Sequence, residues 1–119
     1  YVEDEPDIRL VMGDGLKYLG IDITTVKNAD EAQKKLQFEQ YDVILLDMML
    51  PGISGWEFAE KLKGGIYKDL PIVALTAASI VGQEQKAYKI GCSAYIAKPC
   101  EPAEVKRKIE ETLSRCRKL

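Results

Sequence analysis

Read from its first residue, the chain alternates short apolar runs with longer segments in which apolar residues return every three or four positions. The short runs lie at residues 1–2, 21–26, 43–46, 72–75 and 94–97. The third, Val43-Ile44-Leu45-Leu46, and the fourth, Ile72-Val73-Ala74-Leu75, are apolar throughout. Such runs suit parallel strands covered on both faces, because neither face then meets water. Between them, residues 7–19, 29–38, 55–63, 80–90 and 102–116 predict helices. In the last, Val105, Ile109 and Leu113 recur at every fourth position beneath a charged outer face, the stripe of a helix that packs on a sheet. Regular alternation with short loops predicts one α/β domain: a single doubly wound five-stranded parallel sheet, flavodoxin-like in its order 2-1-3-4-5, with helices on both faces.

Two features fit that frame badly. Gly13 and Gly15 fall inside the first helix, where each costs about 1 kcal/mol relative to alanine, so that helix is expected to bend or to be locally weak. The first strand offers only Tyr1 and Val2 before its acidic end, short beside the usual five or six residues or so. The expectation is one domain over residues 1–119, its first strand truncated because the numbering begins inside a longer protein.

Composition narrows the chemistry. At 119 residues, 46% hydrophobic, the chain can bury a core without staples. Its formal net charge of −2 gives no reason to expect direct nucleic-acid binding. The start is acidic (Glu3, Asp4, Glu5, Asp7) and the end basic (Lys106, Arg107, Lys108, Arg115, Arg117, Lys118); the basic run reads as a solvated face or as a surface for an acidic partner. Cys92, Cys100 and Cys116 show no C-x-x-C spacing, so reduced structural thiols are expected. No apolar stretch approaches the roughly 20 residues of a membrane span and no leader opens the chain, which predicts a cytoplasmic protein without membrane insertion. Histidine is absent. That excludes Ser-His and Cys-His nucleophiles, histidine metal ligands and a phosphohistidine of the chain's own.

In an open parallel sheet, ligands bind beyond the carboxyl ends of the strands. The residues that stand there are Glu3 and Asp4 after the first run, Asp47 after the third, Thr76 after the fourth and Lys98 after the fifth. Three carboxylates brought together repel unless a cation neutralises them, and hard oxygen donors with open water positions suit magnesium. Taken singly the residues say less. Asp4 could cap the following helix, Thr76 could be an N-cap, and Lys98 could be a surface lysine, although Pro99 after it makes a site where a cis bond can fix a side chain's direction. Asp47 stands between Leu46 and Met48-Met49-Leu50, and a carboxylate left without a partner in such a neighbourhood would be costly.

Together these residues resemble the receiver domain of two-component response regulators. The likeness runs along essentially the whole chain: VEDEP at residues 2–6, VILLDMMLPGISG at 43–55, PIVALTA at 71–77 and AYIAKP at 94–99. The resemblance implies that Asp47 is the phosphoacceptor. Magnesium, or manganese in its place, would be held by Glu3, Asp4, Asp47 and the backbone carbonyl of Met49. Thr76 would bond the phosphoryl group, Lys98 would pair with it, and Tyr95 would turn inward when Thr76 moves. The phosphoryl donor would be a sensor histidine kinase or a histidine phosphotransfer protein. The face between Ile80 and Cys116 would meet a downstream protein, with a phosphorylation-dependent homodimer left open. The chain would then be a switch rather than an enzyme, catalysing only its own phosphorylation and slow dephosphorylation. Met49 and Ala78 carry no polar group to orient an attacking water, so a persistent phosphoryl state is expected.

Two other readings use the same residues. A haloacid dehalogenase-type phosphatase would need a carboxylate two residues after its nucleophile, where this chain has Met49. A binding module of the same fold would have no use for the complete acceptor set.

Overall fold

The computed structural model describes residues 1–50, 52–77 and 81–116. Its helices are α1 (Pro6–Tyr18), α2 (Ala29–Phe38), α3 (Gly55–Lys63), α4 (Gln83–Lys89) and α5 (Pro102–Cys116), and its strands are β1 (Ile44–Asp47), β2 (Ile72–Ala77) and β3 (Ala94–Lys98). The strands are parallel, in the order β1-β2-β3. Asp47 pairs with Leu75, and Thr76 with Ala97.

Two further extended segments complete the sheet. Val2 bridges in parallel to Val26 on one side and to Leu46 on the other. Val2 N–H donates to Leu45 O and Asp47 N–H to Val2 O, while Val26 N–H donates to Tyr1 O and Glu3 N–H to Val26 O. The five parallel segments therefore follow the expected order 2-1-3-4-5. The first two runs differ from expectation in extent: among the described residues each enters the ladder through a single residue, and residues 21–25 are not a strand.

Side chains alternate between two cores, as a two-residue period requires. Ile44, Leu46, Ile72 and Ala74 face Ala29 and Ala32 of α2, Phe58, Ala59 and Leu62 of α3, and Ala87 of α4. Leu45, Val73, Leu75, Ala94 and Ile96 face Met12 and Leu16 of α1 and Val105 and Ile109 of α5. Thr112 also lies buried on α5, because its hydroxyl donates back to Lys108 O at 2.7 Å.

Helix boundaries follow local chemistry. Asn28 and Ser54 cap α2 and α3 by accepting from Glu31 N–H and Glu57 N–H. The helix expected over 80–90 begins only at Gln83, because Gly82 holds a left-handed φ of 86°. Ile80, Pro51, Ala78, Arg117 and Lys118 lie outside the described residues. Among those described, no helix is long and apolar enough to cross a membrane. The three cysteines are free, and burial pushes the Cys92 thiol up to about 11.

The glycines expected to weaken α1 have a packing purpose. The helix runs unbroken through both, and a Cβ on Gly15 would stand 2.4 Å from Pro102 Cγ at the start of α5. Gly15→Ala should therefore destabilise the protein by about 1 kcal/mol, because overpacking by about 1–3 kcal/mol outweighs a gain of about 1 kcal/mol in helix propensity. Urea denaturation of the two proteins measures the difference.

Candidate functional site

The first segment's hydrogen bonds to Val26 and β1 bring Glu3 and Asp47 out together at the carboxyl edge of the sheet. Both are buried, 1% and 4% exposed, whereas Asp4 beside them is open to solvent. One carboxylate oxygen from each of the three lies within 4.8 Å of the others. Anions so placed repel, and two of them have lost most of their hydration, so a cation is required among them.

Lys98 supplies one. From the end of β3 its Nζ lies 2.9 Å from Glu3 Oε1 and 3.3 Å from Asp47 Oδ2. Burial alone would lower the lysine's pKa, but the Glu3 hydrogen bond and the Asp47 charge outweigh it and hold it above the usual value. The Lys98–Pro99 bond is cis.

Backbone donors and one phenol complete the shell. Met49 N–H donates to Asp47 Oδ1 at 3.0 Å and Glu5 N–H to Glu3 Oε2 at 3.3 Å. Tyr1 OH donates to Glu3 Oε1 at 3.4 Å. Burial, then the charges of Glu3 and Asp47, raise the pKa of this phenol, which keeps it a donor. Tyr1 was not among the residues expected here. The signal was available, since residues two apart on an extended segment share a face.

Helix α3 begins against the site. Gly55 N–H donates to Met48 O, and a Cβ on Gly55 would fall 2.4 Å from Asp47 O and from Met48 Cα. Only glycine lets the helix start this close to the Asp47 backbone.

On β2, Thr76 is fully buried, and its hydroxyl has no hydrogen-bond partner among the described residues. An orphan of this kind calls for a ligand or a change of state to explain it. Tyr95 pairs with Ala74, so the register puts it on the face that carries Thr76, where it is half-buried against the core. Met49 is exposed, while Ala78 is outside the described residues. Asp4 does not cap α1: the N-cap is Glu5, and it makes no side-chain cap bond.

The donor set fits a hard divalent cation. Three carboxylates converge, one of them solvent-facing, leaving coordination positions for water.

A family model described as the response regulator receiver domain matches residues 1–110. The chain belongs to the response regulator receiver domain family. Among curated proteins it is 32% identical to the response regulator Rre1 of Synechocystis over 96% of this chain and 50% of that protein. It is 34% identical to the phosphate regulon transcriptional regulatory protein PhoB of Pseudomonas aeruginosa, again over 96% of this chain and 50% of the relative. The chain thus spans about half the length of these curated relatives. Among solved structures, a putative response regulator from Chloroflexus aurantiacus superposes with a TM-score of 0.88 at 26% identity, covering 96% of this chain and 94% of that one. The receiver domain of a Pseudomonas aeruginosa sensor histidine kinase, solved with magnesium in its active-site cleft, gives 0.83 at 30% identity over 95% and 93%. This receiver is a phosphorylation-dependent signalling domain of the two-component type.

Lys98→Met would leave Glu3 and Asp47 buried without a counter-ion. It should destabilise the metal-free receiver by about 2–3 kcal/mol, the cost of a broken buried pair discounted for the lysine's partial exposure. Thermal melts of both proteins in chelator and in magnesium measure this, and magnesium should recover part of the loss. Because the fold raises the Lys98 pKa, its contribution is complete below the ordinary 10.5 and disappears as pH rises through the folded value. The two proteins should therefore converge in stability only in strong alkali.

Proposed function

We propose that Asp47 is the phosphoacceptor of this receiver and that Glu3, Asp4, Asp47 and the backbone carbonyl of Met49 hold magnesium beside it, with manganese as a substitute. The observation that carries the reading is the buried Asp47 carboxylate, held between Lys98 and the Met49 N–H, with two further carboxylates in reach. A carboxylate oxygen of Asp47 attacks the phosphorus of a partner's phosphohistidine. The P–N bond breaks, its electrons return to the imidazole, and an aspartyl phosphate forms. These 119 residues hold no histidine, so the phosphohistidine lies outside them, on a sensor histidine kinase or a histidine phosphotransfer protein.

A divalent cation held by Glu3, Asp4, Asp47 and the Met49 carbonyl would neutralise charge on the transferred oxygens. Lys98 swings its ammonium from Asp47 to the incoming phosphoryl oxygens, and the Met49 N–H keeps the carboxylate oriented. The orphaned Thr76 hydroxyl donates to a phosphoryl oxygen, and Tyr95, on the same face, fills the space that Thr76 leaves. Moving such a two-state switch from 1:99 to 99:1 needs about 5.5 kcal/mol of differential stabilisation. The face of α4, β3 and α5 then presents itself to a downstream protein or to a second copy. The domain extends over residues 1–119 and works as a switch in the cytoplasm, not as a turnover enzyme. An exposed methionine at position 49, unable to orient water, supports a persistent phosphoryl state.

Incubation with acetyl phosphate and magnesium should add the mass of one phosphoryl group to the wild type and none to Asp47→Ala. Chelation of the metal should abolish the adduct. A phosphatase would instead consume the donor catalytically, and a binding module would take up nothing. Intact-mass spectrometry with a donor-consumption assay separates the three.

A further inference from the structure

Of the three acidic side chains at the site, two are tied in place and one is not. Glu3 is held by Lys98, Tyr1 and the Glu5 N–H, and Asp47 by Lys98 and the Met49 N–H. Asp4 is exposed, and no donor among the described residues bonds its carboxylate. Helix capping does not fix it either. The N-cap of α1 is Glu5 without a side-chain bond, and Pro6 after it has no N–H to offer.

What does hold this corner is Arg9, one turn into α1. Its Nη1 donates to Glu3 O at 2.9 Å and reaches Asp4 O at 3.4 Å, so one nitrogen spans two successive carbonyls. The half-buried guanidinium is committed to backbone, with no ion pair among the described residues. Direction of the Asp4 carboxylate is therefore set through its own peptide planes.

We propose that Arg9 is a positioning residue for the divalent-cation site: by tying the Glu3 and Asp4 carbonyls to α1, it aims the otherwise untethered Asp4 carboxylate into the cluster. The inference rests on the reading of Glu3, Asp4 and Asp47 as the metal-holding set.

Charge and positioning make opposite predictions, and this gives the idea its test. A guanidinium near a cation site repels the metal, so if only charge mattered its removal would tighten binding. If Arg9 positions Asp4, its removal loosens the corner and weakens binding, by about tenfold on the scale typical of residues that orient metal ligands. Magnesium affinity is measured by calorimetric titration of wild type, Arg9→Met, Arg9→Lys and Asp4→Asn, with a thermal melt of each in chelator.

The expected result is weaker magnesium binding for Arg9→Met in the direction of Asp4→Asn, with Arg9→Lys near wild type because an ammonium can still donate to both carbonyls. Unchanged or tighter binding by a folded Arg9→Met overturns the proposal. So does a loss confined to the metal-free melt, which is what a merely structural role would give. Should Arg9→Met not melt cooperatively, Arg9→Ala carries the same expectation and a better helix propensity. A wild type that takes up no magnesium would overturn the metal reading as well, an outcome distinct from failure of the Arg9 step alone.

Discussion

The site is organised by one ammonium serving two buried carboxylates. Lys98 meets Glu3 and Asp47 at 2.9 and 3.3 Å, and these three residues come from the first, third and fifth parallel segments. Neither carboxylate could stay charged and buried alone. The central segments must therefore be in register before any of the three can be desolvated, which ties the electrostatics of the site to the topology of the sheet. The balance is incomplete by design. Three carboxylates against one ammonium leave two negative charges, the complement of a single divalent cation. Under the proposed phosphorylation, about 1.5–2 negative charges would stand where Asp47 carries one, and the same cations would then be shared differently.

Close backbone approach is the second constraint, and it explains the glycines that helix propensity would reject. Gly55 lets α3 start against the Asp47 and Met48 backbone, and Gly15 lets α1 lie on Pro102 of α5. Both contacts bear on the edge where the acidic cluster sits. α1 carries Arg9 to the Glu3–Asp4 corner, and β1 delivers Asp47 beside it. Helix α1 can hold that corner only because its packing on α5 fixes where its first turn lies.

Much of this was legible in the residues themselves. Unbroken apolar runs located β1 and β2, because strands covered on both faces must be apolar on both, and the short run at 94–97 located the less buried β3. The bounds of α2, α3 and α5 are those expected from helix-period spacing. Asp47, Lys98 and Glu3 came together as their strand-end positions implied. The reasons for the misses are physical. Single-residue bridges at Val2 and Val26 leave a ladder too short to name as strands, although their hydrogen bonds preserve the order. The late start of α4 depends on a left-handed glycine, and glycine alone does not say which conformation it takes. Arg9 bonds two backbone carbonyls, which residue type does not mark, whereas Tyr1 was readable from its two-residue spacing to Glu3.

The Thr76 hydroxyl, without a partner among the described residues, bears on how such a domain could switch. A buried polar group without a partner costs about 1–3 kcal/mol, so the unphosphorylated state carries a penalty that a phosphoryl oxygen would remove. That is less than the roughly 5.5 kcal/mol needed to invert a strongly biased two-state equilibrium. The remainder has to come from charge, and the ammonium now divided between Glu3 and Asp47 is the group placed to supply it. Its release from Asp47 would leave Glu3 with Lys98, Tyr1 and the Glu5 N–H still available, so the corner need not come apart as the switch turns. With Tyr1 and the Glu5 N–H also on Glu3, Lys98 could shift toward a phosphoryl group without stripping that carboxylate of every donor.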